Sequence, residues 1–363
     1  MIERNFHQTH PYRFPEKSGN LSGLKWLNYI LLIITLSNPA FSQFAINVSK
    51  VSTTAAPFLE IEAGSRAVGM GSAFVAVAND ATALYWNAAG LSRLKQNELV
   101  LIHTTWIADI NYNYVGGIFL IDRLGTIGFS ITSLGTNEMK VRTVDEPEGT
   151  GERFSVSDLA FGVAFARNLT HRFSIGFNAK YIRQNIWNMS ATGFAIDIGT
   201  LFITKFSGLK IGMSISNFGG KMQMLGKGTF VNYDLAPTQE GRNDRIPADL
   251  KTDKFPLPLI FRVGLALDVL KSGSNHLTLA VDAAHPNDNT EYVNLGMEYA
   301  INNRLFLRTG YKNLFMLDSE EGLTFGAGLK HRISRSAKLI IDYSYQEFGR
   351  LINAQRFSLS LEF

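Results

Sequence analysis

A chain of 363 residues, with 45% hydrophobic, 12% aromatic and only 18% charged side chains, is long enough to bury a large soluble core or to close one mid-sized barrel. The low charge fraction, with 32 Gly and 26 Phe, departs from an ordinary cytosolic enzyme and suits a lipid-facing barrel, which uses these residues at tight bends and interfacial girdles. The absence of cysteine excludes disulfides, thiolate metal sites, a catalytic thiol and an acylated lipoprotein Cys, and the net charge of +4, with no basic patch interleaved with aromatics, excludes nucleic acid as a partner.

The first element in chain order is a targeting segment. Arg4, Arg13, Lys17 and Lys25 precede an apolar run from Trp26 to Leu36, and Ala40-x-Ser42 supplies a small-residue cleavage pattern. The run falls short of the roughly 20 residues a spanning helix needs, so 1–42 reads as a cleaved signal peptide. Its four cations outnumber Glu3 and Glu16, which leaves the remaining chain nearer neutrality.

Residues 43–97 read as a leader followed by a lumen or plug segment. Gln43 to about Pro57 is polar and small; Phe58 to about Leu94 is rich in Ala and Gly. The stretch Gly64-x-Arg66-Ala67-x-Gly69-Met70-Gly71 is followed by Ala78-Asn79-Asp80 and by Tyr85-Trp86-Asn87-Ala88-Ala89-Gly90-Leu91. A phosphate cradle would need a third Gly, a preceding strand and a βαβ setting, none of which is present. Close backbone packing inside a barrel accounts better for the small residues, and the Ala run suits a short helix.

From Glu98 to the end the pattern is strict alternation. Phe173, Ile175, Phe177, Ala179 and Tyr181 share one face, with Ser174, Gly176, Asn178 and Lys180 on the other. Phe261/Val263/Leu265/Leu267 likewise oppose Arg262/Gly264/Ala266/Asp268, and Leu339/Ile341/Tyr343/Tyr345 oppose Ile340/Asp342/Ser344. Successive strand side chains point to opposite faces. The segments are long for a sandwich, carry charges mid-strand on the polar face and often end in Tyr, Trp or Phe, as at Tyr181, Trp187, Tyr299 and Tyr311; all three features suit a tilted membrane strand lining a polar lumen. The predicted strands are 98–106, 112–121, 125–135, 157–167, 173–186, 191–204, 209–217, 258–269, 276–284, 291–300, 304–312, 321–331, 337–347 and 354–363. The expected fold is therefore an all-β, antiparallel transmembrane barrel of about fourteen strands over 98–363, an even number as a single-chain bacterial barrel requires.

The connections alternate in length. Asp122-Arg123-Leu124, Asn168 to Arg172 and Asn302-Asn303 read as periplasmic turns, whereas 136–156 and 218–257 read as extracellular excursions. The second holds Pro237, Pro247 and Pro256, with Pro258 just past it, and several charges, and its size makes it a candidate lid or partner-binding loop. In the last strand Phe357, Leu359, Leu361 and Phe363 share a face against Ser358, Ser360 and Glu362. Ending on an aromatic, that face reads as the signal recognised by the barrel assembly machinery.

Catalytic and metal chemistry find little support. His103, His171, His276, His285 and His331 stand in no nucleophile-elbow or zinc-ligand spacing. Asp282 and His285 fall near one strand end, but an exposed loop histidine is the simpler reading. Arg262, Asp268, Glu298, Arg308, Lys330 and Asp342 read as a polar interior network rather than acid–base pairs. No catalytic, cofactor-binding or metal residue is assigned, and no cofactor is expected.

Residues 58–94 resemble the N-terminal signature of the PorV/PorQ family, outer-membrane proteins related in architecture to FadL-type transporters. The resemblance rests on Gly64, Arg66, Gly69, Met70, Gly71, Asn79, Asp80, Tyr85, Trp86, Asn87, Gly90 and Leu91. It departs at Ala88, where the FadL-like pattern has Pro. It implies a fourteen-strand barrel with its N-terminal segment folded into or across the lumen. It further implies an outer-membrane protein surrounded by lipid, and a non-catalytic component or cargo-binding shuttle of type IX secretion that meets cargo signal domains and a translocon. The alternative is a FadL-like transporter of hydrophobic small molecules, for which an apolar pocket beside Tyr85 and Trp86 is expected.

Overall fold

A computed structural model describes residues 51, 53–235, 238, 245–316, 319–351 and 353–363. The expected signal peptide, the leader to residue 50 and Pro237 lie outside the described residues. Fourteen long strands form the wall: β1 Glu98–Thr105, β2 Asn111–Ile121, β3 Gly125–Gly135, β4 Val156–Asn168, β5 Phe173–Ile186, β6 Met189–Ile203 and β7 Lys210–Gly219, then β8 Ile260–Ser272, β9 Asn275–Pro286, β10 Tyr292–Ile301, β11 Leu305–Leu314, β12 Leu323–Arg332, β13 Lys338–Glu347 and β14 Asn353–Glu362. Each pairs antiparallel with its chain neighbours, and β14 pairs with both β13 and β1, as in Leu359↔Leu101. The sheet is thereby a closed fourteen-stranded barrel, as expected. Closure leaves no unpaired edge within the hydrocarbon, where exposed backbone groups would be unsatisfied.

The fourteen predicted strands match these one to one, with ends within three residues. The largest difference is at β8, which continues to Ser272 through a register shift between Asp268 and Leu270. That bulge breaks the period-2 pattern, which is why alternation alone ends the strand early.

Alternation sorts the side chains by solvent. Arg262, Gly264 and Ala266 are buried inward on β8, while Phe261 and Leu265 point out. A continuous exposed apolar band of this kind belongs against lipid; no helix among the described residues is long and apolar enough to cross a membrane. The turns at one end are short: Asn302 and Asn303 both have positive φ, and the Arg304 amide donates to the Ile301 carbonyl at 3.0 Å, a type I′ hairpin. The opposite end carries the excursions, so it is the extracellular one. The described parts of the excursion 220–259 form backbone ribbons, Met222–Gln223 with Lys254–Phe255 and Phe230–Tyr233 with Ile246–Asp249, while Leu225–Gly226 pair back onto β6.

The interior is filled by the segment before β1. It contains a 3-10 turn Pro57–Glu60, α1 (Ser65–Gly69), α2 (Ala83–Trp86) and a 3-10 turn Ala88–Arg93. Ala63, Ala67, Met70, Phe74, Leu84, Trp86 and Leu91 are buried. Its backbone and side chains bond to inward groups of distant strands: the Ser65 amide donates to Ser358 Oγ at 2.9 Å and the Phe74 and Val75 amides donate to Asp282 Oδ2 at 2.7 and 2.8 Å. The approach is close enough to need bare backbone on the wall. A Cβ built on Gly176 would lie 2.3 Å from the Ala88 carbonyl carbon, and one on Gly310 would lie 2.2 Å from the Gly71 nitrogen. These glycines belong to the small, inward face of the alternating pattern.

Gly176→Ala is expected to destabilise the barrel by about 1–3 kcal/mol, the usual cost of overpacking. The measurement is the urea midpoint of the protein folded in lipid vesicles, with Ala179→Gly on the outward face of the same strand as the comparison.

Candidate functional site

Arg66 stands on α1, whose preceding residue Gly64 has φ 100°. In that left-handed region glycine is favoured, and a Cβ there would also meet Thr82 Cγ2 at 2.8 Å. The turn aims the guanidinium at the wall formed by β10, β11 and β13. Its Nε and Nη2 donate to the two Glu298 oxygens, each at 2.8 Å, a bidentate pair. Its Nη1 donates to Asn79 Oδ1 at 2.7 Å and to Asp80 Oδ2 at 2.9 Å. Glu298 also accepts from Arg308 Nε at 2.6 Å, and Arg308 Nη1 donates to Asp342 Oδ1 at 2.6 Å. Two parts of the sequence motif thus meet each other and the wall at one guanidinium.

The other motif residues hold the segment's path. Gly69 faces Gly326, and Gly71 (φ 62°) donates its amide to Thr324 Oγ1 at 3.0 Å; Met70 between them is fully buried. Asp80 Oδ1 accepts the Thr82 amide at 2.9 Å, a local turn that starts the run into α2. Tyr85 donates to the Leu59 carbonyl at 3.2 Å, and Trp86 Nε1 to the Ala63 carbonyl at 2.8 Å; the Arg262 guanidinium lies 5.5 Å from the Trp86 ring centroid. Asn87 caps the second 3-10 turn by accepting the Ala89 amide at 3.1 Å, and its Nδ2 donates to the Val75 and Thr200 carbonyls at 2.9 and 3.0 Å. Ala88 is the first residue of that turn, a position where Pro is also tolerated, so the departure at Ala88 leaves the turn intact. Gly90 lies under the Ala78 carbonyl and Leu91 is buried.

Two cavities flank this segment. One, about 620 Å³, opens at the short-turn end and is lined by Arg66, Asp80, Glu298, Arg304, Lys330 and Lys338 among others. The second, about 470 Å³, lies at the long-loop end between Phe58, Ile61, Trp106 and Met316 and the polar groups Glu60, Glu62, Lys312 and Glu321. Lys312 Nζ contacts Glu62 at 2.8 Å and Glu321 at 2.6 Å. Two acids two residues apart are shifted in opposite senses here. Burial, then the nearby Asp288 charge, raises Glu60 to about 7; for Glu62 burial is outweighed by Lys312 and Arg356, and its carboxyl is held below the usual range. Neither cavity is lined by Tyr85 or Trp86, where the transporter reading expects its apolar pocket. The wall is also covered where the β6–β7 ladder stops at Ala195↔Gly219, because Met222 packs over Gly193 and Leu225–Gly226 pair with Ser190 and Met189.

The interior charges expected from the sequence fall into separate groups. Glu298, Arg308 and Asp342 join Arg66; Asp268 pairs with Lys271 at 3.1 Å; Lys330 pairs with Glu362 at 2.5 Å; and Arg262 sits over Trp86. Asp282 and His285 do not meet: Asp282 holds the Phe74 and Val75 amides inside, and His285 is exposed and paired with Glu291. No cluster of three metal-ligating side chains occurs among the described residues. Phe357, Leu359 and Phe363 are exposed on the outer face, and the Phe363 amide closes the seam on the Asn97 carbonyl at 2.9 Å. Sequence reasoning missed Asp282 as an anchor, and it missed the Glu62–Lys312–Glu321 group. The one available signal was an acid on the inward face of a strand, which does not name its partner.

The family model described as type IX secretion system protein PorV matches residues 44–239, more than half of the chain. No curated protein matches it in sequence. Among solved structures, a Pseudomonas aeruginosa FadL homologue is similar at 11% identity and a TM-score of 0.50, covering 83% of this chain and 98% of that one. The Pseudomonas putida toluene transporter TodX is similar at 12% identity and TM-score 0.52, with 83% and 97% covered. The Ralstonia pickettii toluene transporter TbuX is similar at 11% identity and TM-score 0.51, with the same shares. At such identities the likeness is one of fold.

Arg66→Ala strands Glu298 with one partner and is expected to cost about 3 kcal/mol. Amide exchange over 64–82 should rise and the barrel should begin to conduct ions in planar bilayers, with Arg66→Lys intermediate because ammonium cannot form the fork. Unchanged exchange in Arg66→Ala would show that packing alone holds the segment. Glu60 carries a second expectation. Its folded pKa lies above the unfolded value, so the folded chain binds more protons between pH 4.5 and about 7, and stability falls as pH rises through that window. Exchange at 57–62, corrected for intrinsic rate, should therefore speed up from pH 5 to pH 8 in the native protein and lose that dependence in Glu60→Gln.

Proposed function

The chain belongs to the PorV family, as an outer-membrane β-barrel associated with type IX secretion, and on that premise we propose that it acts as a plugged, non-catalytic carrier that presents its long-loop end to secreted cargo and to the translocon. The observation that carries this reading is the excursion 220–259. Its described parts are paired in backbone ribbons and anchored by Met222 and Leu257, which are buried. Yet Leu225, Phe230, Tyr233, Leu235 and Leu250 project from it exposed. Backbone-paired ribbons that display aromatic and aliphatic side chains suit protein recognition, where such residues supply anchors at low entropic cost.

The filled interior supports the same division of labour. With residues 55–94 packed against the wall, cargo contact is assigned to the outer rim, and the segment 64–91 is assigned the task of keeping the lumen shut. The outward face Phe357, Leu359, Leu361 and Phe363 is assigned to recognition by the barrel assembly machinery, before lipid covers it. The absence of catalysis belongs to this proposal too: Glu298, Arg308 and Asp342 bond to one another and to Arg66, and Asp282 bonds to the segment's backbone, which supports a structural role for these charges.

The test replaces residues 230–249 by a short Gly-Ser link, which keeps Met222, Leu225 and Leu257. The barrel should still fold, judged by heat-modifiable gel mobility, while co-purification with cargo signal domains is lost and export falls at least about tenfold, the loss expected from removing one anchor cluster. Undiminished export with a folded barrel would overturn the assignment of cargo contact to this loop.

A further inference from the structure

Six short turns join strands at the periplasmic end, and four of them share one composition. Arg123 and Leu124 lie between β2 and β3, Leu169 and Arg172 between β4 and β5, Lys205 and Phe206 between β6 and β7, and Ile333 and Arg335 between β12 and β13. Each of these turns carries an exposed cation and an exposed large apolar side chain. Leu124, Leu169, Phe206 and Ile333 are 56–68% exposed, against 42–44% for wall residues such as Phe119, Phe161 and Leu265. No carboxylate pairs with the four cations among the described residues, and the only acid in the four turns is Asp122. The remaining two turns, Gly273-Ser274 and Asn302-Asn303-Arg304, carry no large apolar side chain. The four therefore make an arc that runs from β12 through the β14–β1 seam to β7.

The arc continues the lipid-facing wall without a break. Leu124 follows Phe119 and Ile121 on the hairpin, Leu169 follows Phe165, Phe206 follows Phe202, and Ile333 follows Leu329, all exposed on the outside. A side chain in that place meets the depth at which acyl chains give way to headgroups. An apolar tip gains by staying in the hydrocarbon, and a cation beside it gains by reaching a phosphate. A protein partner would have to displace lipid to reach these tips, whereas lipid already surrounds the wall they extend.

We infer that this arc is a binding surface for anionic phospholipid headgroups of the periplasm-facing leaflet, with Arg123, Arg172, Lys205 and Arg335 taking the phosphates. It rests on the outer-membrane barrel and is independent of the secretion reading. The arc fixes the depth of one side of the barrel, from β12 round to β7, and leaves the turns of β8 to β11 outside the anchored sector.

The test reconstitutes the full chain in nanodiscs of equal phosphatidylglycerol and phosphatidylethanolamine, releases it, and counts retained lipids by native mass spectrometry. Phosphatidylglycerol should be enriched several-fold over phosphatidylethanolamine. In the variant R123Q/R172Q/K205Q/R335Q the enrichment should vanish, while K271Q, which removes an Asp268-paired cation near a turn outside the arc, should keep it. Should the fourfold variant fail to reach the heat-modifiable form, R123Q/R172Q and K205Q/R335Q read the same ratio, each expected to lose about half of the enrichment. Equal retention of the two lipids by the native protein, or full enrichment in folded variants, would overturn the inference.

Discussion

The guanidinium of Arg66 is the contact that joins two parts of the lumen segment to each other and to the barrel wall. A backbone segment inside a polar lumen needs a reason to stay in one place, since water could serve its hydrogen bonds almost as well. Arg66 gives that reason: it forks onto Glu298 of the wall while holding Asn79 and Asp80 of its own segment. Glu298 and Arg308 pass the constraint to Asp342, so α1, β10, β11 and β13 share one network. Such buried networks add little net stability compared with apolar packing, but they penalise every alternative placement that leaves a charge unpaired. What the network secures is register.

The remaining contacts follow from that register. With Arg66 in place, Gly71 falls against Gly310, Val75 beside Asp282, and Ala88 against Gly176. Each is a backbone approach that tolerates little sliding. Asn87 then ties the far end of the segment to the Thr200 carbonyl of β6, on the opposite side from Arg66. The segment is pinned across the lumen at both walls, and the two cavities are the spaces left above and below it. The two ends left outside this packing are an extracellular rim whose paired ribbons carry exposed apolar side chains, and a periplasmic rim of short basic turns.

The two ends also differ in what surrounds them. At the periplasmic rim the apolar tips of the turns extend the wall, so their environment is the lipid that the wall already contacts. At the extracellular rim Phe230 and Tyr233 sit on a ribbon that departs from the wall, so a protein surface can reach them. The same residue types thus carry different readings, because the path of the backbone beneath them decides what they meet.

Much of the fold was legible because the information is local. Alternation such as Phe173/Ile175/Phe177 against Ser174/Gly176/Asn178 sets which face meets lipid, and the lengths of the runs set the strand count. Asn302-Asn303 named its own hairpin turn, and the residue types from Gly64 to Leu91 carried the family resemblance. Tertiary structure alone decided which partners those residues take. Arg66 and Glu298 are 232 residues apart, and Lys312 and Glu62 are 250 apart; no periodicity links such positions, since only barrel closure brings them to one depth. The inward glycines read as merely small until the segment beneath them showed why a Cβ could not be there. A fourteen-stranded barrel and its polarity could be read along the chain, because a two-residue repeat and turn chemistry are short-range. Whether its lumen is filled, and by which contacts, depended on long-range register, which only the closed structure specifies.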